Sequence, residues 1–249
     1  MLVSAGMRIA VLSDIHANLP ALDAVLADAG PVDGIWHLGD VVGYGPDPDG
    51  VVGRLRDAGA QGVRGNHDAA AIGGSEIDWF NPDARRAMEW TRSAISQASV
   101  DWLSDQPERR SIEGCELVHG SFREPLWEYV TSPAIARDSL SLLRERIGLH
   151  GHTHMPIAFR ERDQGREGIE QVSPRDGSSL SLEGMRALVN PGSVGQPRDG
   201  DPRASYLILD PAQGVMSWHR VEYDIAAVQA AMRRAGLPGF LVSRLSVGF

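Results

Sequence analysis

The 249-residue chain contains no lysine: all 24 of its basic side chains are arginine. That excludes Schiff-base chemistry and a lysine-bearing phosphate loop. There is one cysteine, Cys115, which rules out an internal disulfide and suits a reducing compartment, so a cytoplasmic location is expected. Nothing cationic adjoins Cys115 in sequence, and it reads as a small core residue rather than a nucleophile. No apolar run approaches the ~20 residues of a membrane span. The first residues lack a basic segment and a cleavage pattern, so neither a membrane anchor nor a signal peptide is expected. Met7 is a second candidate start, because Met7–Leu12 opens the first strand. Positive charge is scarce: 24 basic against 33 acidic residues leave a formal net charge of -9. That argues against a nucleic-acid surface. It leaves room for an anionic substrate, because bound metal ions invert the local sign.

What is present is ordinary globular composition, in a length that one layered α/β unit can fill. The first half alternates strands and helices. Arg8–Leu12, Gly34–Leu38 and Gln61–Val63 read as strands. Pro20–Ala29 and Gly50–Ala58 read as helices, the first with Leu22, Val25, Leu26 and Ala29 at helical spacing. Such alternation predicts a partly parallel sheet. Residues 69–106 read as a helical, cap-like insertion in a single domain spanning 1–249, with Trp79, Trp90 and Trp102 expected in its core. A hairpin turning at Glu113-Gly114, a helix over Pro133–Arg146 and a strand at Ile147–Leu149 follow. Residues 161–186 read as a polar, mobile hairpin or loop. Strands at Ala187–Asn190, Ala204–Leu209 and Val215–Val221 precede a helix capped by Asp224. The whole predicts an α/β fold of two packed sheets with helices outside.

Every strong chemical signal lies just past a predicted strand. These are Asp14-Ile15-His16, Gly39-Asp40, Gly65-Asn66-His67-Asp68, His119, and Gly151-His152-Thr153-His154. Loops at the carboxyl ends of strands converge on one crevice. Together they offer two carboxylates, an amide and several imidazoles, with no thiolate. That donor set suits Mn, Fe, Zn, Ni or Co rather than Ca or Mg alone. It is too many ligands for one ion and about right for two. The remaining histidines, His37, His150 and His219, read as structural rings in or at the ends of strands.

Five segments in this order resemble the calcineurin-like metallophosphoesterase superfamily, over at least residues 7–210. Val42–Pro48, His119-Gly-Ser121 and Asn190–Gly195 look like its small bacterial cytosolic branch. The resemblance implies a four-layer αββα sandwich of two mixed β-sheets flanked by helices. It implies two divalent transition-metal ions per chain, Mn or Fe favoured. Asp14, His16 and His154 would hold the first, Asn66, His119 and His152 the second, and Asp40 would bridge them. His67 would face the phosphate as the catalytic histidine, with Asp68 orienting it through its other ring nitrogen. The implied activity is hydrolysis of a phosphate ester, a small phosphodiester or nucleotide ranking first, by in-line attack of a metal-bridging hydroxide. Alternatives of the same fold are a protein phosphatase and a dinucleoside tetraphosphatase. A non-catalytic metal-binding scaffold is the alternative of another class, and the presence of His67 and Asp68 counts against it. The acidic charge counts against a nuclease. Substrate contacts are expected from Tyr44, Arg85, Arg86, Arg123 and Tyr129, because Arg forks match phosphate and Tyr rings stack on bases. Asn190–Ser193 reads as a tight turn bordering the cleft.

Overall fold

Short polar residues set where the helices begin. Asn18, Asp47, Asn81 and Asp224 each accept a backbone N–H from the first turn of the helix that follows, and a proline stands in the first turn of three of those four helices. The computed structural model describes residues 6–162, 168–184 and 186–249. The chain runs β1 (Ile9–Leu12), α1 (Leu19–Ala29), β2 (Gly34–His37), α2 (Pro48–Asp57), β3 (Gln61–Gly62) and α3 (Asn66–Ala71). A 3-10 turn over Ser75–Trp79, α4 (Pro82–Ala94) and α5 (Gln97–Ser104) complete the helical segment. Then come β4 (Arg109–Ile112), β5 (Cys115–Val118), α6 (Pro133–Ser141), β6 (Ile147–Leu149), β7 (Pro156–Glu161), β8 (Ile169–Val172) and β9 (Ser179–Ser181). The chain closes with β10 (Ala187–Pro191), β11 (Ala204–Asp210), β12 (Val215–Val221), α7 (Ile225–Arg234) and α8 (Gly239–Arg244).

Two six-stranded mixed sheets result, ordered β3-β2-β1-β11-β12-β9 and β4-β5-β6-β10-β7-β8. β1 pairs parallel with β2 and antiparallel with β11; β10 pairs parallel with β6 and antiparallel with β7. Alternation along buried strands fills two layers at once. Ile9 and Val11 point between the sheets with Leu117, Leu149, Val189 and Leu207, while Ala10 and Leu12 pack under the outer helices with Leu22, Val25 and Leu55. On the far side, Leu188 and Phe159 meet Ala136 and Leu140 of α6. This is the four-layer sandwich expected from the sequence. Cys115 is a buried free thiol between the sheets, pushed up to about 12 by burial.

Three local expectations are refined or corrected. The stretch 161–186, expected as a mobile hairpin or loop, supplies β8, which pairs antiparallel with β7 as a hairpin does, and β9, which pairs with β12 at the edge of the other sheet; residues 163–167 and 185 of that stretch lie outside the described residues. The helix expected to reach Arg146 stops at Ser141. Trp79 is not core but 72% exposed, since the short 3-10 turn carries it outward, whereas Trp102 packs on His37, ring centroids 5.4 Å apart.

Candidate metal centre

The loops after β1, β2, β3, β5 and β6 meet at one end of the sandwich. They do so at a conformational cost that only packing can hold. Asp14, His16, Asp40, His152 and His154 all adopt positive φ, between 49° and 66°. Gly39 and Gly65 allow the second and third loops to touch: a Cβ on Gly65 would lie 2.2 Å from Asp40 Oδ1 and 2.3 Å from Asp40 N. The end of β10 and the loop after it frame two others. Ser193 Oγ donates to Asp14 O at 2.8 Å, and the Asn190 amide donates to Gly151 O at 2.7 Å. The segment Asn190–Ser193, expected as a tight turn, is the end of β10 plus the two residues after it, and it braces the Asp14 and Gly151 loops.

Four histidines spend one ring nitrogen on a backbone carbonyl. His16 Nδ1 donates to Val42 O (3.1 Å), His119 Nδ1 to Leu38 O (2.8 Å), His154 Nδ1 to Gln196 O (2.6 Å) and His152 Nε2 to Trp127 O (3.1 Å). A carbonyl only accepts, so each proton is placed and the other nitrogen presents a lone pair. Those lone pairs converge. His16 Nε2 and His154 Nε2 are 3.1 Å apart, with Asp40 Oδ2 3.6 Å from the first and Asp14 Oδ1 3.5 Å from the second. His119 Nε2 lies 3.0 Å from His152 Nδ1, 3.0 Å from Asn66 Oδ1 and 3.3 Å from Asp40 Oδ2. Asp14, His16, Asp40 and His154 thus form one buried nest of metal-ligand type; Asp40, His119 and His152 form another, with Asn66 beside it. Asp40 is common to both.

The electrostatics agree with cation sites. Burial raises the Asp14 carboxyl to about 7, helped by Asp40 and opposed by His119. Burial also opposes charge on Asp40, yet His119 and His67 hold its carboxyl well below the usual range. Burial drives His16, His152 and His154 well below the usual imidazole range, so they are neutral. His119 behaves otherwise. Burial works against its charge, but Asp40 and Asp14 lift it to about 9, so a proton and a metal ion compete for its Nε2.

His67 stands beside both nests without joining either. Its backbone N–H donates to Asp40 Oδ1 at 2.9 Å, and its ring lines the cavity above the centre. Gly43 lets the ring sit against backbone, because a Cβ there would lie 2.4 Å from His67 Nδ1. Asp68 does not orient this ring, contrary to expectation. Its carboxylate accepts from Gly65 N at 3.0 Å and Val42 N at 3.1 Å, while His67 Nδ1 is buried with no hydrogen-bond partner. The cause is local: Asp68 occupies the third position of α3 and closes back on its start. It ties the Asn66 and Val42 loops together instead.

The cavity of about 250 Å³ over the centre is lined by Tyr44, Phe80, Trp79, Trp127, Tyr129 and Arg198 among others. Tyr44 and Tyr129 are therefore at the site, Tyr129 stacked on His152 at 4.0 Å. Arg85, Arg86 and Arg123 are not. Arg85 pairs with Asp78 (2.8 Å) and Glu89 (3.5 Å), Arg123 with Glu128 and Asp138, and Arg86 is exposed on α4 away from the cavity lining. Nearby carboxylates hold two of the three outward. Sequence reasoning missed Arg198, Phe80 and Trp127. The signal for Arg198 was available: it follows a strand, as the ligands do.

The calcineurin-like phosphoesterase superfamily domain matches residues 7–214. The chain belongs to that superfamily. By class it is a metal-dependent phosphoester hydrolase. A solved metallophosphoesterase from Sphaerobacter thermophilus is 46% identical and superposes with a TM-score of 0.90, covering 98% of this chain and 100% of that one. An uncharacterized protein of Methanocaldococcus jannaschii is 36% identical over 247 residues, 96% of this calcineurin-like chain and 98% of its own length. The phosphodiesterase YfcE of Escherichia coli is 26% identical over 82% of this chain and 88% of its own. No helix among the described residues is long and apolar enough to cross a membrane.

Proposed function

We propose that this calcineurin-like protein hydrolyses small phosphodiesters or nucleotides at two divalent transition-metal ions sharing Asp40. One observation carries the reading: two buried nests of metal-ligand type, Asp14, His16, Asp40 and His154 in one and Asp40, His119 and His152 in the other with the Asn66 oxygen beside it, share Asp40. Burial keeps His16, His152 and His154 neutral with a lone pair each facing inward, and a cation in each nest would satisfy these acceptors. Asp14, His16 and His154 would hold the first ion, Asn66, His119 and His152 the second. The bound ions supply Lewis acidity toward the phosphoryl oxygens and an acidified water.

The chain's own residues do the rest. The four carbonyl bonds fix each ring's tautomer and aim, so no side chain reorganises when substrate arrives. His67 is lowered to about 4 by burial, so it meets the ester as a neutral ring that donates a hydrogen bond or relays a proton. Arg198 is the guanidinium lining the cavity, and its Nε is buried without a partner. It takes a non-bridging oxygen.

The test is a metal-supplemented panel of bis-p-nitrophenyl phosphate, p-nitrophenyl phosphate, cyclic nucleotides and dinucleoside polyphosphates. Turnover of diesters ahead of the monoester is expected with Mn or Fe. No turnover of any ester with Mn, Fe, Zn, Ni or Co would end the proposal.

A further inference from the structure

An unbroken row of rings leads away from the centre. Tyr44 contacts His67 (centroids 4.3 Å), His67 contacts Phe80 (4.5 Å), Phe80 contacts Trp127 (5.4 Å), and Trp127 contacts Trp79 (5.2 Å). The last member is 72% exposed although it is the largest apolar side chain in its turn. Its neighbour Phe80 is half-buried and Trp127 is tied down, since its carbonyl anchors His152 and its N–H donates to Glu124. An indole pair in ring contact beside a phosphate site, with one member largely in water, presents flat apolar area to a ligand. At the other end Arg198 lies with its Cζ 5.9 Å from the Tyr44 ring centre, its Nε lacking a partner and one Nη donating to Gln196 Oε1 at 3.0 Å. Charge is supplied at one end of the cleft and an aromatic face at the other.

We propose that Trp79 and Trp127 form a base subsite, so that the phosphoester bound here carries a nucleobase stacked on these indoles while Arg198 holds its phosphate. The inference rests on the phosphoesterase reading and adds the ligand's aromatic part. Most of the Trp79 indole faces water, and it meets the Trp127 ring at the mouth of the cavity. Stacking tolerates any base, because every base has a π face. The subsite therefore selects nucleotides as a class, and the segment from Ser75 to Trp79, placed between α3 and α4, delivers that selection.

The experiment is calorimetric titration of the metal-loaded full chain with AMP and with ribose 5-phosphate, which share the phosphate and sugar and differ by the base. AMP should bind about 5- to 100-fold tighter, the range that one stacked base confers. Trp79→Ala, at an exposed position, should shrink that ratio several-fold, and Trp127→Phe should shrink it less because a ring remains. Arg198→Gln should weaken both ligands by a similar factor and leave the ratio intact. Equal affinity of the unmodified chain for AMP and ribose 5-phosphate, or a ratio untouched by Trp79→Ala, overturns the base subsite. The readout is binding, so failure of every ester to turn over would strike the proposed hydrolysis and not this result.

Discussion

His16 Nε2 and His154 Nε2 face each other at 3.1 Å from positions 138 residues apart, each with its opposite nitrogen donated to a main-chain carbonyl. Two neutral imidazoles so placed have no proton to share. Elemental analysis and anomalous scattering of metal-loaded protein should show two ions per chain, both within coordination reach of Asp40. Asp40→Asn keeps an acceptor for the His67 N–H but removes the shared charge. It should lose both ions and all activity. One ion retained at full occupancy would refute the shared role.

His67 lies outside both nests, so its removal is separable from metal binding. His67→Ala should keep both ions and the fold while kcat falls ~10²–10⁴-fold, the range of general acid–base groups. A variant that loses an ion would make His67 a ligand instead. Asp68→Asn acts differently. It weakens the bonds to Gly65 N and Val42 N, so metal affinity and thermal stability should fall along with kcat.

His37 has a predictable pH signature. Burial, then Arg110, lowers it from 6.5 to about 3. Between those values the unfolded chain binds the proton and the folded chain does not, so this contribution to stability is fully present above pH 6.5 and is lost as pH falls toward 3. The slope approaches ~1.4 kcal/mol per pH unit. His37→Phe, which keeps a ring against Trp102, should flatten acid unfolding by about that slope between pH 6 and 4. Parallel curves for the two proteins would show that His37 carries none of it.

Gly65→Ala tests the contact between loops. Its Cβ would meet Asp40 at 2.2–2.3 Å, and main-chain atoms must move. A loss of ~1–3 kcal/mol in stability is expected, with metal affinity reduced as well. Thermal melts with and without metal would separate the two effects.

Arg85→Ala and Arg123→Ala should leave KM for every ester within about two-fold. Their ion pairs are solvent-screened and lie away from the cavity lining. Arg198→Ala should instead raise KM. A larger effect from Arg85 or Arg123 than from Arg198 would relocate the substrate.

The sequence by itself determined the layered α/β class and which segments supply the buried side chains of metal-ligand type. The unbroken apolar run Ile9–Leu12 reports burial on both faces, caps such as Asn18 and Asn81 report helix starts, and the Asp14, Asp40, Asn66, His119 and Gly151 segments each follow a strand. Those are local signals with a fixed chemical meaning. What Asp68 bonds to, where Arg85 and Arg123 point, and that Trp79 faces water were decided only in three dimensions. A carboxylate or guanidinium takes the nearest competent partner, and that partner is chosen by how loops pack. The same holds for Arg198 and Trp127, which enter the cleft because β10 is sandwiched between β6 and β7 and because His152 needs a carbonyl to hold it. Residue type and period are written along the chain; adjacency between residues more than 100 positions apart is a property of the packed sheets.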